Sequence, residues 1–68
     1  MNTQYNAHPA TPEDCTVIEF PSGEEIICEG FGDNHKDYTI AKYLALQLNK
    51  GEMTETEVKE TCNTRRLT

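Results

Sequence analysis

The sequence predicts an α+β fold: a small single domain in which a β-hairpin is followed by two antiparallel α-helices (ββαα), behind a flexible N-terminal arm. Two β-favouring runs flank Pro21-Ser22-Gly23, an apolar stripe of helical period ends before Gly51, and Thr54 with Glu57 marks the start of a second helix. These features divide the chain into an arm over residues 1–14 and a folded α+β domain over residues 15–68.

The arm carries Asn, Thr, Gln, Ala and two prolines with no apolar period, so it lacks the apolar surface that would order it by itself. Tyr5 is its one large apolar side chain and the expected anchor if the arm docks. From Cys15 to Phe20, and again from Glu24 to Glu29, β-branched and aromatic residues favour extended structure. Between them, Pro21 suits the second position of a type I turn and Gly23 suits the left-handed position that closes a three-residue hairpin with a bulge. That register sets Ile18 across from Ile26 and Val17 across from Ile27. A two-residue loop at Ser22-Gly23 sets Ile18 across from Ile27 instead, and the sequence leaves both open.

Gly30, Gly32, Asp33 and Asn34 mark a loop. A helix is expected over about 35–50, with Asn34 or Asp37 as its N-cap and Gly51 at its stop. Ile40, Ala41, Leu44, Ala45 and Leu48 fall within one stripe at about 100° per residue, which should pack on the hairpin. Tyr43 and Leu46 lie off that stripe as apolar surface. The second helix is expected over about 54–65: Thr54 and Glu57 form a capping box, Met53 and Val58 take the staple positions, and Val58 and Cys62 form a narrow inner stripe. Glu55 and Lys59 are spaced as an i,i+4 pair. The expected core is Val17, Ile18, Ile26, Ile27, Ile40, Leu44, Leu48 and Val58, with Phe31 plugging the link between hairpin and helix.

Size limits the chemistry. A chain of 68 residues buries only roughly 60% of the surface its unfolded form exposes. Apolar residues make up 35% of it, with three Tyr, two Phe and no Trp, so little is left to wall a cavity on the order of 300 Å³ or more, as active sites require. No enzyme activity is expected. Cys15, Cys28 and Cys62, with His8 and His35, contain no pair at the short spacing by which zinc sites present two ligands from one loop. They are therefore read as core and surface residues, and no metal or cofactor is expected. The Gly30-Phe31-Gly32 turn has neither the lysine of a phosphate loop nor the spacing of a dinucleotide fingerprint. An odd number of widely spaced cysteines, no basic-then-apolar leader and no apolar run near roughly 18 residues lead to the expectation of a cytoplasmic protein with reduced thiols and no membrane contact.

Charge gives the functional direction. Twelve acids oppose six Lys and Arg, for a net charge of −6, so the chain on average repels a polyanion, and direct nucleic-acid binding is not expected. Eight of the acids lie between residues 13 and 37, against one lysine there, Lys36. The expected partner-binding residues are Glu19, Glu24, Glu25, Glu29, Asp33 and Asp37, with Tyr43 and Leu46 as an apolar complement. The expected partner is a protein with a basic surface that itself binds nucleic acid. In size, acidity and absence of catalytic groups the chain resembles the small inhibitors encoded by phages and mobile elements, including anti-CRISPR and DNA-mimic proteins; the resemblance implies a non-enzymatic inhibitor. The alternative is a small DNA-binding or transcription-regulatory module of helix-turn-helix type, suggested by the two helices separated by Gly51-Glu52-Met53 and requiring Lys59, Arg65 and Arg66. Glu55, Glu57 and Glu60 on the same helix oppose it.

Overall fold

Pro21 and Gly23 fold the chain back on itself as their conformations require. Gly23 N–H donates to Phe20 C=O at 2.9 Å, Phe20 N–H donates to Glu24 C=O at 2.8 Å, and Gly23 takes a left-handed φ of 97°, which together make a type I turn closed by a bulge. This computed structural model describes the backbone from Gln4 to Leu67 and side chains from Gln4 to Cys62. Its elements are β1 (Asn6–His8), β2 (Val17–Glu19), β3 (Glu25–Ile27), α1 (Asn34–Lys50) and α2 (Glu55–Leu67). The turn selects the three-residue register, with Val17 opposite Ile27, Ile18 opposite Ile26 and Glu19 opposite Glu25. The hairpin and both helices are thus present in the expected order.

The segment expected as an arm supplies a third strand. β1 pairs antiparallel with β2, setting Asn6 opposite Glu19, Ala7 opposite Ile18 and His8 opposite Val17, so the sheet runs β1-β2-β3. Its local composition gives no sign of this because the ties are distant. Tyr5 N–H donates to Asn49 Oδ1 at 2.9 Å, and Asn49 Nδ2 donates back to Tyr5 C=O at 3.0 Å, across 44 positions of chain. The Tyr5 ring stands edge-on to Phe20 with centroids 5.2 Å apart, and its hydroxyl donates to Glu55 Oε2 at 2.6 Å. That hydrogen bond, with desolvation and the Glu55 charge, raises the Tyr5 phenol above its ordinary 10.0.

The helix ends follow local rules, with one change at the start of α1. The N-cap is Asp33, one residue before Asn34 and four before Asp37; its side chain accepts from Lys36 N–H at 2.8 Å. Asp37 is instead buried, and its Oδ1 accepts from Phe31 N–H at 3.0 Å, tying down the loop before the helix. At the other end Gly51 is left-handed. Its N–H donates to Leu48 C=O and Glu52 N–H donates to Gln47 C=O, the paired bonds of a Schellman stop. The capping box closes reciprocally: Thr54 N–H donates to Glu57 Oε1 at 2.9 Å and Glu57 N–H to Thr54 Oγ1 at 3.2 Å. The expected Glu55–Lys59 pair does not form, because tertiary partners lie closer. Glu55 takes the Tyr5 hydroxyl, while Lys59 Nζ sits 3.2 Å from Glu24 Oε2 and 5.5 Å from the Phe20 ring centroid.

Pleat alternation sends Ile18 and Phe20 inward against α1 and α2, where they meet Cys28, Ala41, Leu44, Ala45, Leu48, Val58 and Cys62. Ile26, Ile40, Phe31, Tyr5, Ala7 and Met53 pack around that cluster. Val17 and Ile27 are the correction to the expected core. Each is half-buried on the outward face of the sheet and outside the cluster, because a period of two cannot turn both Val17 and Ile18 the same way. Phe20 fills the core instead. Thr16 is also buried, and its hydroxyl has no hydrogen-bond partner among the described residues.

Two stability measurements check this packing. Asn49→Ala removes both bonds to Tyr5 and should cost about 1–2 kcal/mol in denaturant unfolding, with faster exchange of β1 amides; unchanged exchange there shows that β1 is held by other means. Contact with Cys62, then burial, raises the Cys28 thiol above its ordinary 9.0. The folded protein therefore keeps a proton that the unfolded chain releases, so this contribution to stability is present below pH 9 and lost as pH rises beyond it. Melting in a pH series should show that decline, and Cys28→Ala should flatten it.

Candidate partner-binding surface

The same alternation that builds the core sets His8, Val17, Glu19, Glu25 and Ile27 on the sheet face turned away from the helices. Beside this face the chain from Thr11 to Asp14 folds into a tight turn: Thr11 N–H donates to Asp14 C=O at 2.7 Å, and Thr11 Oγ1 accepts from Asp14 N–H at 3.0 Å. The turn forms one wall of an open groove of about 340 Å³, lined in part by His8, Asp14, Cys15, Val17, Glu19 and Glu25. Its floor is apolar at Val17 and its rim is acidic.

Glu19 and Glu25 are register partners. Two carboxylates directly across a strand pair repel, and the fold relieves only one of them, by placing His8 Nε2 3.1 Å from Glu19 Oε1. Glu25 is exposed and makes no ion pair among the described residues. A position where sheet stability is lowered by an unpaired acid is a natural place to look for an external cation.

The expected acidic residues separate into different tasks. Glu19 and Glu25 stand together on the outward face. Glu24 is engaged by Lys59 at the turn end, and Glu29, half-buried, follows β3. Asp33 caps α1 and remains exposed, whereas Asp37 is 5% exposed and occupied by the Phe31 amide, so Asp37 is not available to a partner. Tyr43 and Leu46 are exposed at 57% and 48%. They lie on the side of α1 opposite its buried residues Ala41, Leu44, Ala45 and Leu48, so helix and sheet separate them from the acidic groove. One flat partner surface cannot cover both. His8 and Asp14 join the groove without having been singled out as binding residues. The signal in reach was His8 and Glu19 at opposite ends of what became one strand pair, legible only once β1 is recognised.

Neither helix changes this picture. Lys59, the cation nearest the start of α2, is committed to Glu24 and Phe20. Arg65 and Arg66 belong to α2, but their side chains lie outside the described residues. Among the described residues no group of three or more His, Cys, Asp or Glu is placed to hold a metal ion, and no helix is long and apolar enough to cross a membrane. Cys28 and Cys62 sit in the core and Cys15 lies half-buried at the groove.

Replacing Glu25 with Lys converts a repelling cross-strand pair into an attracting one. Stability should rise by about 0.2–1 kcal/mol, read as an upward shift of the urea midpoint with unchanged slope; a fall would show that Glu25 is held by a favourable contact. No protein-family model, curated protein or solved structure matches this chain.

Proposed function

We propose that this protein is a non-enzymatic binding protein that acts in the cytoplasm by occupying the basic surface of a nucleic-acid-binding protein or complex, and so inhibits it. The observation that carries this reading is the Glu19/Glu25 register pair on an open sheet face beside Asp14, with His8 as the neighbouring base. Carboxylates held side by side on a rigid sheet produce a local negative potential that a net charge of −6 reinforces at longer range. A basic groove evolved for phosphates offers the complementary potential, and association between the two is accelerated by steering. Val17 and Ile27 add apolar area at the centre of the same face, where charge alone gives little affinity.

The size and acidity that resemble phage-encoded inhibitors, anti-CRISPR and DNA-mimic proteins among them, fit this mode of action. The protein would compete with nucleic acid for one surface and carry out no reaction itself.

The reading is tested on a partner recovered by affinity capture from host lysate and then purified. Glu19→Lys with Glu25→Lys should slow association by about tenfold or more at low salt, and the difference from wild type should shrink as salt rises past the point where the Debye length falls below about 10 Å. The partner's own nucleic acid should displace the protein. A ternary complex in place of displacement, or a duplex-DNA shift by the isolated protein that is lost on replacing Lys59, Arg65 and Arg66, would overturn it in favour of direct DNA binding.

A further inference from the structure

The two edges of the sheet are finished differently. At the β1 edge Asn49 takes both the N–H and the C=O of Tyr5 with its carboxamide, as a neighbouring strand would, and α1 packs along that strand. At the β3 edge no described residue plays that part. Cys28 N–H donates to Thr16 C=O at 2.8 Å and Phe20 N–H donates to Glu24 C=O at 2.8 Å, so with Ile18 opposite Ile26 the hydrogen-bonded pairs of the hairpin are Thr16/Cys28, Ile18/Ile26 and Phe20/Glu24. Antiparallel alternation then turns the N–H and C=O groups of Glu25 and Ile27 away from β2. Among the described residues nothing pairs with those groups, which leaves a strand edge there, a template on which another chain can pair.

The flanking side chains determine what can pair there. Glu25 is exposed, Ile27 is half-buried on the outward face, and Glu29 follows two residues later. A second copy of this chain, paired antiparallel about Ile27, would set each Glu25 against the other copy's Glu29, so like charges oppose self-association. The same three side chains complement a strand carrying basic residues opposite Glu25 and Glu29 and an apolar residue opposite Ile27.

We propose that the partner engages this protein through an extended segment of the pattern basic-x-apolar-x-basic, which adds to β3 as the fourth strand of the sheet. The inference rests on the acidic-surface reading above and adds how the partner's backbone is held: main-chain bonds to Glu25 and Ile27 supply affinity, and alternate side chains supply specificity. Glu24, already held by Lys59, takes no part.

Two synthetic peptides built on Lys-Thr-Val-Thr-Lys repeats test it, identical except that one is N-methylated at its valines and lysines. Both carry the same charges, but only the unmodified one can donate to the edge from the lysines and valines whose side chains face Glu25, Ile27 and Glu29. The expected result is binding of the unmodified peptide, with slowing of the Glu25 and Ile27 amide exchange by about tenfold or more at saturation, and binding of the N-methylated peptide weaker by about tenfold or more. Glu25→Lys with Glu29→Lys, a change at positions outside the core, should weaken the unmodified peptide by about tenfold while leaving the fold intact. Equal binding of the two peptides, with unchanged exchange at Glu25 and Ile27, overturns strand addition while the acidic-surface reading survives. Failure of both peptides to bind at low salt overturns both.

Discussion

The Asn49 carboxamide accepts from Tyr5 N–H and donates to Tyr5 C=O, and most of the tertiary arrangement hangs on that pair of bonds. A segment of Asn, Ala and Pro has too little apolar surface to order itself. Held at Tyr5, it lies down as β1 and pairs with β2. The same residue places its ring on Phe20 at the turn end of the hairpin and its hydroxyl on Glu55 at the start of α2. One tyrosine thus touches the hairpin and both helices, and a core with few large side chains gains an edge-to-face aromatic contact.

That contact also makes the sheet asymmetric. At the β1 end Asn49 takes the backbone groups of Tyr5, whereas at the far edge of β3 no described residue pairs with Glu25 or Ile27. Glu25 beside that edge discourages pairing between identical chains, and in the proposed complex it faces the basic strand. The groove next to it has the same character, an apolar floor at Val17 within an acidic rim. In that proposal the side chains that bind the partner also protect against aggregation.

Acidic residues that look alike in the sequence carry unlike duties in the fold. Asp33 and Glu57 satisfy backbone N–H groups at helix starts and Asp37 satisfies one in a buried loop. Glu24 and Glu55 hold other elements through Lys59 and Tyr5. Once these are set aside Glu19 and Glu25 stand out as register partners, one shared with His8 and the other without an ion pair among the described residues. A net charge of −6 therefore overstates the acid available to a partner, and the position of the charge matters more than its sum.

Features fixed by neighbours within a few residues were legible from the chain alone. Pro21 and Gly23 set the turn, Gly51 the stop of α1, and Thr54 with Glu57 the start of α2, because each acts through φ or through a hydrogen bond that spans three or four positions. The α+β class and the inward stripe of α1 followed from the same short-range periodicity. Beyond that range the tertiary structure decided. It sent Val17 and Ile27 outward and Phe20 inward, drew Glu55 and Lys59 away from each other, and recruited residues 6–8 into the sheet. For the strands the reason is that an extended strand owns no internal hydrogen bonds, so its pairing and its facing are properties of the neighbour it meets, and Tyr5 meets Asn49 across 44 positions of chain; for Glu55 and Lys59 it is that Tyr5 and Glu24 reach them from other elements.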